Sequence, residues 1–105
     1  MTDKVFIQKA GKVVAKNMGD PDFCVEAFAN MVSLSRVQLH RRMKALFHQS
    51  SSEFIRSRRL NQAASLLRAK NDNISSVAKK VGFRNMSYFS KCFQKQFGFK
   101  PSEYC

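Results

Sequence analysis

The sequence predicts an all-α chain in which a helix-turn-helix unit occurs twice, once on either side of a long central helix. Three observations carry this expectation. Apolar residues recur at helical spacing, the 105 residues include only 4 Gly and 2 Pro with 44% hydrophobic residues, and residues 29–47 have a second copy at 78–97. At 12.0 kDa the chain has room for one domain, or for two small lobes sharing a core.

Taken in order, Phe6, Ala10, Val13 and Val14 mark an amphipathic first helix over residues 4–18, ended by Gly19-Asp20-Pro21. Val25, Phe28, Ala29 and Val32 form the face of a short second helix, and Ser33 and Leu34 make a turn. Ser35 opens a third helix carrying Val37, Leu39, Met43, Leu46 and Phe47, and Ser35 and Gln38 have the spacing of a capping box. Ser50 and Glu53 repeat that signature ahead of a long helix that carries Phe54, Ile55, Leu60, Ala63, Ala64, Leu66 and Leu67 to about Ala69. Asn71, Asp72 and Asn73 punctuate. Ile74, Val77, Ala78 and Val81 then repeat the short helix, Gly82 the turn and Asn85 the cap; Phe89, Phe93 and Phe97 recur every four residues until Gly98 stops the run. Pro101 is expected to bar re-entry into helix. The expected division is a first subdomain over residues 1–50, a central helix over 51–70 and a second subdomain over 71–105.

In the repeat, Ala29 matches Ala78, Val32 matches Val81, Ser33 matches Gly82 and Leu34 matches Phe83; after one extra residue, Arg84, Ser35 matches Asn85 and Arg41 matches Lys91. Each copy therefore puts a base at the same outward position of its second helix, which packing does not require.

The 19 Lys and Arg against 7 Asp and Glu give a net charge of +12, which points to a polyanionic partner. Residues 27–52 and 73–102 contain no acid. The first stretch holds Arg36, Arg41, Arg42 and Lys44, the second Lys79, Lys80, Arg84, Lys91, Lys95 and Lys100. Solvated helix faces usually mix signs to gain i,i+4 pairs, so two single-sign stretches point to a binding role. Cys24, Cys92 and Cys105 are odd in number, with no CxxC and no ligand spacing to His40 or His48, so neither disulfides nor a metal site is expected, and a reducing cytosol fits. The polar N-terminal residues and the lack of an 18-residue apolar run argue against a signal peptide, an anchor or membrane contact in this segment. Neither histidine has a partner at catalytic spacing, so no enzyme chemistry, catalytic residue or cofactor is expected.

In a helix-turn-helix the first helix braces on the DNA backbone and the second enters the major groove. With Leu39, Met43 and Leu46 turned to the core, Arg36, Val37, Gln38, His40 and Arg41 are left for base edges: Arg41 suits guanine, Gln38 adenine and Val37 the thymine methyl. The second unit offers Met86, Ser87, Ser90 and Lys91. Ser35, Arg42, Lys79, Lys80, Arg84, Asn85 and Lys95 are the expected phosphate contacts. Arg56, Arg58 and Arg68 on the central helix are open to the same use, whereas Arg59 is expected to pack or pair internally, with Glu53 or Asp72 as candidate partners. Phe89, Phe93, Phe97 and Phe99 are expected in the core.

Residues 74–83 (Ile-Ser-Ser-Val-Ala-Lys-Lys-Val-Gly-Phe), 87–93 (Ser-Tyr-Phe-Ser-Lys-Cys-Phe) and 97–104 (Phe-Gly-Phe-Lys-Pro-Ser-Glu-Tyr) follow a known signature. Through them the chain resembles, over residues 23–104, the DNA-binding domain of the AraC/XylS family of bacterial transcription regulators. The resemblance implies about seven helices in a homeodomain-like pair of helix-turn-helix units, with recognition helices in successive major grooves on one DNA face. It puts Val37, His40, Arg41, Met86, Ser87 and Lys91 at base-contacting positions. Residues 19–26 and 54–60 are also similar to the subgroup fused behind hybrid sensor kinases, which implies the output end of a longer, membrane-associated sensor; a stand-alone regulator is the other possibility. The sequence departs from the family at Cys24 (serine cap), Ser33 (turn glycine) and His48 (glycine stop), which predicts a less stable first unit. Met86 and Ser87 predict a second helix that anchors phosphate more than it reads bases.

The expected function is sequence-specific binding of double-stranded DNA in the cytoplasm, at the nucleoid, with a sensor or dimerisation domain outside this chain. The rival is an output module that docks on RNA polymerase or a sensor partner with little DNA specificity of its own.

Overall fold

The structure is a computed structural model that describes residues 2–70 and 72–104; Asn71, expected to help end the central helix, and the third cysteine, Cys105, lie outside the described residues. Among the described residues there are seven helices and no strand: α1 (Asp3–Asn17), α2 (Val25–Met31), α3 (Arg36–Phe47), α4 (Ser51–Ala69), α5 (Ile74–Lys80), α6 (Met86–Phe97) and α7 (Pro101–Tyr104). This is the all-α, twice-used arrangement that the periodicity predicts.

The apolar faces close two cores. Phe6, Val14, Phe28, Leu39, Met43, Phe54 and Ile55 form one, and Leu60, Ala63, Leu67, Val77, Phe89 and Phe93 belong to the other. Each large side chain removed from water contributes about 1.5–3 kcal/mol. Among the described residues only α4 enters both cores, with Phe54 and Ile55 on the first and Leu60, Ala63, Ala64 and Leu67 on the second. Its 19 residues make a rod of about 28 Å at 1.5 Å per residue, laid through a molecule of 41 × 23 × 22 Å.

The repeat holds down to single hydrogen bonds. Leu34 N–H donates to the Ala29 carbonyl at 3.0 Å, and its counterpart Phe83 N–H donates to Ala78 at 2.9 Å. The turn residues between, Ser33 (φ 59°) and Gly82 (φ 93°), are both left-handed. Ser33 tolerates this conformation with a side chain; Gly82 has no such room, because a Cβ there would collide with the Met18 carbonyl oxygen. The expected caps are in place. Ser35 accepts from Gln38 N–H at 3.1 Å while Gln38 accepts from Ser35 N–H at 3.0 Å, and Ser50 and Glu53 form the same reciprocal pair. Asn73 and Asn85 cap α5 and α6. Each cap contributes about 1 kcal/mol.

Helices α3 and α6 end alike, with His48 (φ 59°) closing α3 and Gly98 (φ 86°) closing α6. A Cβ at Gly98 meets nothing within 4 Å, so a side chain at this kind of stop costs only left-handed strain. Replacing His48→Gly is therefore expected to raise the stability of the first unit by about 1 kcal/mol, and Gly98→Ala to lower that of the second by a similar amount. Thermal unfolding measures both, and an unchanged or lower Tm for His48→Gly would contradict the strain argument.

Two expectations near the end of the chain are corrected. Pro101 does not bar helix; it is buried and is the first residue of α7. The first turn of a helix leaves its N–H groups unbonded and needs φ near −65°, both of which proline supplies. Lys100 N–H donates to Glu103 Oε1 at 2.8 Å across that turn. The short helix brings the Tyr104 ring to 5.2 Å from Phe99 and 5.6 Å from Phe93, closing the end of the second core. Phe99 itself is at its rim, 36% exposed, outside the core expected for it.

Candidate nucleic-acid interface

Burial of Leu39 and Met43 turns the opposite side of α3 outward, so Arg36, Val37, His40, Arg41 and Lys44 form an exposed ridge. Burial of Phe89 and Phe93 does the same for Met86, Ser87, Gln94 and Lys91 on α6, while Ser90 is half-buried. Neither helix contains an acid.

Three grooves connect these ridges. The first, lined by Arg36, Val37, His40, Arg41 and residues 50–52, also touches Val25. Val25 and Ser52 border a central cleft between the two units, whose far wall includes Arg84, Asn85 and Tyr88, with Arg56 on α4. Arg56 and Tyr88 in turn border a third groove, between α4 and α6, with Lys91 and Lys95. The result is one continuous strip from α3 to α6. Among the described residues Glu53 is the only acid in its lining, and Asp22 reaches into the cleft through its pair with Arg84. Glu53 is committed to its cap: the Ser50 N–H, 2.9 Å away, and the Ser50 hydroxyl hold its carboxyl below the ordinary value of 4.5, with help from Lys44 and Arg56. A lowered value means that the cap's ionic contribution is fully present above pH 4.5 and is lost as the pH falls through the folded-state value.

Two expected contact residues, Gln38 and Arg42, lie off this strip. Gln38 spends its Oε1 on the cap and sits on the other flank of α3 with Leu34 and Arg42. The Arg42 guanidinium lies 5.0 Å over the Phe6 ring, facing α1; its counterpart in the repeat, Cys92, is likewise half-buried against the second core. Lys79 is exposed at the end of α5, but Lys80 pairs with Asp72 at 2.6 Å. Arg84 pairs with Asp22 across the cleft. Ser35 and Asn85 are at the starts of α3 and α6, where free N–H groups favour anions. Arg59 packs internally, though against neither Glu53 nor Asp72: it bonds three backbone carbonyls of residues 18–23. Cys24 starts α2 without a side-chain cap bond, as its departure from serine implies.

Sequence reasoning missed Tyr88, which is 50% exposed and borders two of the three grooves. The repeat places Tyr88 opposite Gln38, which lies off the strip, so pairing the two copies does not mark it.

A helix-turn-helix domain family matches residues 28–105. A solved Chromobacterium violaceum transcriptional regulator, described as containing an AraC-type DNA-binding domain, superposes with a TM-score of 0.85 at 27% identity, over 92% of this chain and 86% of that one. The chain belongs to the AraC/XylS family of DNA-binding domains. This AraC/XylS domain is 42% identical over 102 residues to histidine kinase P4 of Formosa agariphila, a match that covers 97% of the domain and 7% of the kinase. It is 29% identical over 99 residues to the transcriptional regulator MtrA of Neisseria gonorrhoeae, covering 92% of the domain and 33% of that protein. The domain thus spans a third or less of these relatives. The DNA-binding domain of the global transcriptional factor AdpA, solved in complex with a target DNA, superposes with a TM-score of 0.82 at 27% identity, covering 91% of this chain and 88% of that one. Among the described residues no helix is long and apolar enough to cross a membrane, and no group of three or more His, Cys, Asp or Glu is placed to hold a metal.

Proposed function

We propose that this AraC/XylS domain binds a specific double-stranded DNA sequence, with α3 and α6 in successive major grooves, as the DNA-reading end of a bacterial transcription regulator. The observation that carries the reading is the continuous basic strip joining the exposed ridges of the two helices, in which Glu53 is locked in a cap and Asp22 is paired with Arg84. Arg36, Val37, His40 and Arg41 read base edges from α3, and Lys91 with Met86 and Ser87 from α6. The starts of both helices at Ser35 and Asn85, together with Lys79, Lys95 and Arg56, hold phosphates. Gln38 and Arg42 drop out of the contact set. Lys80 and Arg84 sit in exposed ion pairs worth about 0–1 kcal/mol, which a phosphate can replace. The match to a kinase along nearly the whole of this chain supports a place at the output end of a larger sensor.

Phosphate contact makes affinity depend on salt. With six or more contacts, binding to a random-sequence duplex is expected to weaken by about 10³-fold or more between roughly 50 and 200 mM salt, and Lys95→Ala to lower the slope by about 1 while weakening all sequences alike. Fluorescence-anisotropy titrations read both. Salt-independent binding, or none, would sink the DNA reading in favour of a protein-docking module.

A further inference from the structure

The two units have separate cores, and no helix of α1–α3 packs extensively on a helix of α5–α7. Besides α4, a short segment joins them. Residues 18–23, between α1 and α2, lie under the α5–α6 turn, and several independent contacts meet there. Arg59, half-buried on α4, donates through Nε to the Met18 carbonyl at 2.8 Å and through Nη2 to the carbonyls of Asp20 at 3.0 Å and Phe23 at 3.2 Å. Burial lowers the basicity of its guanidinium, and the charge of Asp20 works against that loss. Gly19 approaches so closely that a Cβ on it would stand 3.0 Å from the Lys80 carbonyl oxygen. Gly82 lacks space for any side chain, with Met18 O and Arg59 Nε (2.8 Å) in the way. Asp22 reaches across to Arg84.

The position of this joint matters. Phe23 leads into α2 at one end, and Gly82 precedes the start of α6 by a few residues at the other. A single shared helix leaves the units free to bend and twist about it; a second attachment away from its axis removes that freedom. DNA makes the freedom measurable, because moving one block of an operator by a single base pair shifts it about 3.4 Å along the axis and turns it by roughly 35°.

We propose that Arg59 is a positioning residue for operator spacing. By fastening residues 18–23 beneath the α5–α6 turn it holds α3 and α6 at one separation and angle, so that the domain rejects operators whose two blocks are correct but wrongly spaced. This rests on the two-helix reading above. Arg59 touches no DNA in this role, so its effect falls on the spacing preference and not on base preference within either block.

The test uses duplexes selected by the wild-type domain from a random library, rebuilt with one base pair removed from or added between the blocks. The wild-type domain is expected to lose about tenfold or more at either altered spacing, the size of a mismatch in a specific site. Arg59→Ala is expected to weaken the native spacing by about tenfold and bring the three spacings to within about threefold of one another, leaving a duplex with only the α3 block bound as before. Arg59→Lys, which keeps the charge and loses the fork, falls between. Gly19→Ala is the second variant: it wedges the joint without touching either core, and the same flattening is expected. Circular dichroism identifies folded variants, and if Arg59→Ala does not fold, Gly19→Ala decides. A folded variant that keeps the wild-type ratio between spacings overturns the proposal, even if all its affinities fall together. A wild-type domain that selects one block only overturns the two-helix reading itself, which is a separate and recognisable result.

Discussion

Phe93→Ala is expected to unfold the second unit while the first stays folded. Phe93 is fully buried and is the hub of the second core, with ring centroids of Phe97 at 4.6 Å, Tyr104 at 5.6 Å, Phe89 at 5.8 Å and Phe99 at 6.3 Å. Truncating such a side chain costs about 3–5 kcal/mol, through lost transfer energy and the cavity left behind. The loss is confined by the architecture, since the first core contains none of these residues and shares only α4 with the second. Opening should therefore be sub-global. Hydrogen exchange is the measurement: the amides of α5 and α6 lose protection, while those of α2 and α3 keep it. Equal loss in both units would show that they fold as one and would remove the two-core account. On DNA the same variant is expected to protect one block in place of two.

Arg41→Ala is the second large effect, and it falls on recognition. Arg41 stands at the crest of α3, bordering the groove that leads toward the central cleft as well as the opposite flank. A bidentate contact from such a position to guanine O6 and N7 is worth about 1–3 kcal/mol of discrimination, so affinity for the selected operator should fall roughly 5- to 150-fold with little change on random DNA. Arg41→Lys should not rescue it, because a lysine lacks the planar fork. Competition binding against both DNAs separates the cases: an equal loss on the two would reassign Arg41 to phosphate.

Much of the fold was legible because its signals are local. A helix-turn-helix unit is written in a cap, a left-handed turn residue and a four-residue apolar stripe, and Ser35, Gly82, Asn85 and the Phe89, Phe93, Phe97 series each act within a few residues of themselves. What failed to show was non-local or ambiguous. Arg59 bonds backbone carbonyls some 40 residues away, and carbonyls leave no trace in residue identity, so carboxylates were the natural candidates. Arg42 looked like part of a basic ridge until α1 supplied Phe6 beneath it. Gln38 had two uses open to it, and the capping bond takes one of its polar ends away from DNA. Pro101 is ambiguous in the sequence because proline both ends and begins helices; which it does depends on the residues after it. The strip itself was half visible: the acid-free stretches gave its sign, but Arg56 and Tyr88 join it only through the packing of α4 against α6.

The central claim is that one copy of this domain reads two blocks of DNA from one face. Selection against a random double-stranded library at near-physiological salt tests it most directly, followed by affinities for the winner and for its scrambled sequence. The expected result is a motif of two blocks about one helical turn, roughly 34–36 Å, apart, bound about a thousandfold or more above the scrambled duplex. Uniform, salt-sensitive binding with no enriched motif would contradict it and leave a domain that grips phosphate without reading sequence.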